Sequence, residues 1–155
     1  MLLRSGAPHH GLGRPLKVGK EEIMGLVAAV DAWGRRDHAA ERAAIDARLE
    51  HIQGAIEDAP ALSPAVSCEI VAGMDGAPRA YISHRLRVSW SGAASSRFPT
   101  PAGVVQQLLQ HDPPIALIEW KQGVDICAHV INMEEAHQIA QALIAALTAP
   151  PTSKL

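Results

Sequence analysis

The sequence predicts an α+β fold: a mainly antiparallel sheet of about four strands with helices on one face, preceded by a helical linker. Three observations carry this expectation. Several segments repeat apolar residues at helical spacing, others alternate apolar and polar residues as half-buried strands do. Read in order, the elements run helix, helix, strand, strand, helix, strand, strand, helix. Helices and strands grouped this way build a sheet with helices layered on it rather than a repeated parallel crossover unit.

The first helix follows a glycine-rich basic stretch, Gly11 to Lys20, and places Ile23, Leu26, Val27, Val30 and Trp33 on one stripe. Glu21 and Glu22 in its first turn complement the helix dipole, and Gly34 is the expected stop. A longer helix over 38–58 carries Ile45, Leu49, Ile52 and Ile56, and Pro60 and Pro64 close it. The strand at Val66–Val71 alternates Val66, Cys68 and Ile70 with Ser67 and Glu69. That at Ile82–Trp90 sets Leu86, Val88 and Trp90 against Arg85, Arg87 and Ser89, which predicts one covered and one polar sheet face. Thr100 followed by Pro101 opens a third helix with Val104, Val105, Leu108 and Leu109, ended at Asp112-Pro-Pro. Strands Ile115–Trp120 and Val124–Ile131 are expected to form a hairpin around Gln122-Gly123. Asn132 with Glu135 makes a capping box for a last helix whose stripe is Ile139, Leu143 and Leu147. The chain thus divides into a basic junction (1–19), linker helices (20–59), an α+β domain (60–150) and a tail (151–155).

Composition sets outer bounds. The 155 residues are enough for one domain with a real core, and 48% hydrophobic with 19% charged residues fits a globular chain. A net charge of −2 argues against nucleic acid as a partner. No run of eighteen apolar residues is present, so no membrane span is expected, and residues at the start lack a signal-peptide core. The expected location is cytoplasmic. The ending Ser153-Lys154-Leu155 matches the peroxisomal address and carries weight only in a eukaryotic cell. Cys68 and Cys127 lie far apart without a metal-binding spacing and read as buried, reduced thiols.

Arg14, Lys17 and Lys20 lie among Gly11, Gly13 and Gly19 just ahead of a helix. Glycines admit close backbone approach, and a helix start turns free N–H groups toward an anion, so this stretch is a candidate for phosphate or carboxylate contacts. The alternative is a connector whose cations are solvated or pair with Glu21 and Glu22. The glycine spacing fits neither a phosphate-binding P-loop nor a dinucleotide fingerprint. Arg85 and Arg87 on the polar strand face are candidates for a carboxylate; the alternative is a solvated strand protected against aggregation. His9 and His10 have no carboxylate or cysteine at ligand spacing, and no metal is expected. Ser95, Ser96 and Arg97 have no base at fixed spacing. No catalytic residue is assigned within the chain.

The segment "GRPLKVGKEEIMGLVAAV" resembles the linker between the large and small domains of bacterial selenocysteine synthase-like enzymes, fold-type I pyridoxal-phosphate proteins. The group includes L-seryl-tRNA(Sec) selenium transferase and the D-glucosaminate-6-phosphate ammonia-lyase type. The later stretch "HRLRVSWSG", a helix, "DPPIALIEW", a hairpin and a final helix look like the rest of that small domain. The resemblance implies a C-terminal domain of a pyridoxal 5'-phosphate-dependent transferase or lyase. Such a domain would close the site and offer Arg14, Lys17 and Lys20 to the anionic groups of an amino acid or sugar phosphate. The family's Schiff-base lysine lies in the large domain, so the resemblance implies a chain inactive alone and a homo-oligomer in the full enzyme. The other expectation is a stand-alone α+β module that binds a ligand or dimerises without catalysis.

Overall fold

The computed structural model describes residues 18–72, 84–90 and 97–149. The elements are α1 (Lys20–Arg35), α2 (His38–Glu57), β1 (Val66–Ala72), β2 (His84–Trp90), α3 (Pro101–Leu109), β3 (Ile118–Trp120), β4 (Gly123–Ile126) and α4 (Met133–Thr148). The expected order of elements is the observed one. The chain divides into two compact units, residues 1–38 and 39–155.

In the first unit, α1 keeps its acidic first turn, Glu21 and Glu22, and none of its residues is buried. It runs through Gly34 rather than stopping there, because Gly34 stays helical and the chain turns extended only at Arg36, whose N–H donates to Trp33 O at 3.2 Å. An Asp31–Arg35 ion pair one turn apart supports this last turn.

In the second unit, four strands form one antiparallel sheet in the order β1-β2-β4-β3. The β3–β4 hairpin therefore folds back so that β4, not β3, lies beside β2. Glu119 pairs with Val124, and Val88 pairs with Val124 from the other side. The alternation within β2 sends Leu86 and Val88 to one face, where they meet Val124 and Ile126 of β4. Leu49, Ile52 and Ile56 of α2, Val104 and Leu108 of α3, and Ile139, Leu143 and Leu147 of α4 close over this face as one core. Each of these helical residues recurs at three- or four-residue steps, so each helix contributes one stripe and keeps the rest in water.

Gly123 at the hairpin has a steric reason. A Cβ there would stand 1.9 Å from the backbone O of Val88, so the close approach of β4 to β2 demands the missing side chain. The caps form as expected. Thr100 Oγ1 accepts from Gly103 N–H, and Asn132 and Glu135 complete a reciprocal capping box.

Two strands are shorter than their sequence pattern. β3 begins at Ile118 rather than Ile115, because Pro113 and Pro114 have no N–H to give a ladder and Ile115 N–H donates to Leu108 O at the end of α3. β4 ends at Ile126 rather than Ile131; its last pair is Ile126 with Leu86 of β2, one residue past its last partner on β3. Downstream, the Arg48 guanidinium of α2 donates to Ile131 O at 2.7 Å and fixes the connection into α4. Residues 82 and 83, expected in the second strand, lie outside the described residues.

Candidate functional site

The sheet face turned away from the helices carries a charged cluster. Asp125 sits in the middle of β4 between Val124 and Ile126, opposite Arg87 of β2. Strand alternation puts Arg85 and Arg87 on the same face as Asp125. Arg87 Nε and Nη2 donate to the two carboxylate oxygens of Asp125 at 2.9 and 3.1 Å, a bidentate fork. Arg85 Nε lies 3.2 Å from Asp125 Oδ2. Trp120, at the end of β3, stacks under the Arg87 guanidinium, 4.1 Å from ring centroid to Cζ.

This arrangement corrects the expectation of a polar face open to solvent. Arg85 is 6% and Asp125 2% exposed, and only 14% of the Arg87 side chain reaches water. A carboxylate beside two arginines offsets part of the cost of taking them out of water. The carboxylate that Arg85 and Arg87 hold in this structure is the chain's own Asp125. Asp125 was not singled out in the sequence, although its position inside an apolar strand run is the signal of a buried, paired acid.

A groove of about 300 Å³ lies at the other end of the hairpin. Pro113 and Ile115 to Leu117 form one wall, Cys127 and Ile131 a second, and Glu135, Gln138 and Ile139 of α4 the third. It exists because the two prolines hold residues 113–117 out of the sheet, and it is predominantly apolar. Glu135 is occupied as half of the capping box. Cys127 was expected buried within a strand; it lies just past β4 and is exposed, because β4 stops one residue before it. Partial burial raises its thiol pKa; nearby Arg85 opposes this and Asp125 adds to it. A raised pKa keeps the thiol protonated, which is the opposite of an activated nucleophile. Cys68 faces the core, and burial with help from Glu57 pushes its thiol up to about 12. Both cysteines are free, as expected.

Two of the histidine pairings join separate elements. His84 bonds Asp46, tying β2 to α2, and His51 and His137 approach within 3.4 Å on α2 and α4. Among the described residues no three His, Cys, Asp or Glu side chains converge as a metal site. Arg97, from the candidate serine loop, donates to Ala61 O. Arg14, Lys17, His9, His10, Ser95, Ser96 and the Ser153–Leu155 ending lie outside the described residues. Lys20 opens α1 and is exposed.

Pyridoxal phosphate needs a lysine amine for its aldehyde and several donors for its phosphate. The described lysines are Lys20 and Lys121, both exposed, and neither lines the groove, which has no cationic side chain. The described residues do not fit that cofactor. Among them, no helix is long and apolar enough to cross a membrane. No protein-family model matches the chain, and no curated protein shows significant similarity to it.

Proposed function

We propose that this chain acts as the small, non-catalytic domain of a pyridoxal-phosphate-dependent lyase or transferase resembling the selenocysteine synthase group. Its chemistry is borrowed: a larger cofactor-bearing domain supplies the Schiff-base lysine, and this chain closes the site and contributes anion contacts from the basic junction. The observation that carries the reading is the element order after the junction. A strand (β2), a helix (α3), a β3–β4 hairpin and a final helix (α4) follow in the sequence order that the resemblance implies. The second support is chemical. The arginine pair of the sheet face is spent on Asp125, and the groove has neither cation nor activated nucleophile. Recognition of an amino acid or sugar phosphate is assigned to Arg14, Lys17 and Lys20, as the resemblance implies, where three cations stand within seven residues.

Titration of the purified chain with pyridoxal phosphate followed by borohydride reduction tests the reading. The expected result is no single lysine labelled in preference to the others. One stoichiometrically labelled lysine would show that the chain holds the cofactor itself. The positive arm adds the chain to the cofactor-bearing large domain of a selenocysteine synthase-like lyase and measures turnover. Activity should appear, and replacing Arg14, Lys17 and Lys20 by alanine should raise KM for the phosphorylated substrate. Absence of activity with both parts folded would sink the assignment.

A further inference from the structure

His51 of α2 and His137 of α4 stand 86 positions apart in the chain, yet their side chains meet. Both are exposed, on helices whose apolar stripes share one core. The fold therefore places the pair, not the local chain. His51 Nε2 lies 3.4 Å from His137 Nδ1, while the ring centroids are 5.6 Å apart and the planes tilted by 42°. The rings thus approach through their nitrogens and are not stacked.

That separation is long for a hydrogen bond, whose heavy atoms stand roughly 2.7–3.2 Å apart. It matches the edge of a ligand tetrahedron. Two imidazole nitrogens, each about 2.0–2.1 Å from a zinc ion and at the tetrahedral angle, are about 3.3–3.4 Å apart. Adjacent ligands in a square-planar or octahedral set at the same bond length would be about 2.8–3.0 Å apart, so the spacing favours zinc over copper(II) or nickel(II). Imidazole nitrogen suits zinc, whereas magnesium and calcium take oxygen.

The surroundings tolerate a cation. Glu134 precedes His137 by one helical turn and Glu50 adjoins His51, and α4 carries no lysine or arginine. Neither acid completes a group of three ligands. Arg48, one turn ahead of His51, turns its guanidinium to Ile131 O at 2.7 Å. The bonded nitrogens of His38, His84 and His111 face oxygens instead, on Trp33, Asp46 and Pro113.

We propose that His51 and His137 form a zinc site that bridges α2 and α4, with two protein nitrogens and two coordination positions left to water. The inference uses only these helices and does not rest on the cofactor reading above. Two protein ligands in place of the usual four give a dissociation constant on the order of 10–100 µM.

Urea unfolding of the full chain with and without zinc chloride, in a buffer that does not chelate metal, tests it. An ion that joins two distant helices binds the folded chain alone. Zinc at ~1 mM should therefore lower the unfolding equilibrium constant about 10–100-fold. His51→Gln and His137→Gln should each abolish that effect with unchanged circular dichroism, since both positions are exposed. Magnesium at the same concentration should leave the midpoint in place. The double change His9→Gln with His10→Gln should keep the zinc effect, because adjacent histidines cannot tie distant elements together. Three outcomes overturn the proposal: no zinc effect in the unaltered chain, an effect that survives His51→Gln or His137→Gln, or an effect lost with His9 and His10.

Discussion

Asp125 is the residue on which the outer face of the sheet depends. It is nearly inaccessible, it holds both oxygens toward Arg87, and it lies within 3.2 Å of Arg85 Nε. Removing one member of a buried ion cluster costs far more than the cluster contributes, because the remaining charges stay desolvated. Asp125→Ala should destabilise the second unit by about 3–5 kcal/mol in urea unfolding, whereas loss of an exposed pair would cost under about 1 kcal/mol. A loss in the lower range would show that Arg85 and Arg87 are solvated after all. The alternation Arg85, Arg87, Ser89 was legible in the sequence, but the partner was not. A two-residue period assigns side chains to a face and says nothing of which strand lies alongside. Cys127 fails for a related reason: it lies just past the last residue of β4, and a two-residue period does not mark where a strand stops.

At the scale of elements, local chemistry decided the boundaries wherever it was strong. Thr100-Pro101 and Asn132 with Glu135 start α3 and α4 where the sequence places them, since a cap is made by residues three apart in the chain. Asn132→Ala should remove the half of the box in which Asn132 Oδ1 accepts from Glu135 N–H, leave the backbone N–H of residue 132 to Glu135, and lower stability by about 1 kcal/mol, measurable as a shift in the urea midpoint at constant slope. Where an edge rests on a distant partner, the sequence overreached. Ile115–Leu117 and Cys127–Ile131 have strand-like composition, yet the first is held off by Pro113 and Pro114 and the second lies past Ile126, the last paired residue of β4. The groove that results was unforeseeable from periodicity, although the Pro-Pro step was its visible cause.

For the whole molecule, the division into units decides what can be separated. The core draws on α2, α3, α4 and the sheet, and its earliest contributor is Ile45. A chain beginning at Ala39 should therefore unfold cooperatively, with a stability within about 0.5 kcal/mol of the full chain at concentrations where the full chain is monomeric. Loss of cooperativity would mean that α1 belongs to the core. The sequence by itself determined the α+β class, the order of eight elements, the N-terminal caps of α3 and α4 and the apolar stripes, because each is encoded by residues a few positions apart. Only the tertiary structure decided the order β1-β2-β4-β3, the burial of Arg85 with Asp125, the exposure of Cys127 and the groove beside α4. Those features join residues tens of positions apart, and which distant strand supplies the neighbour is a choice made by packing the whole core, not by any local pattern.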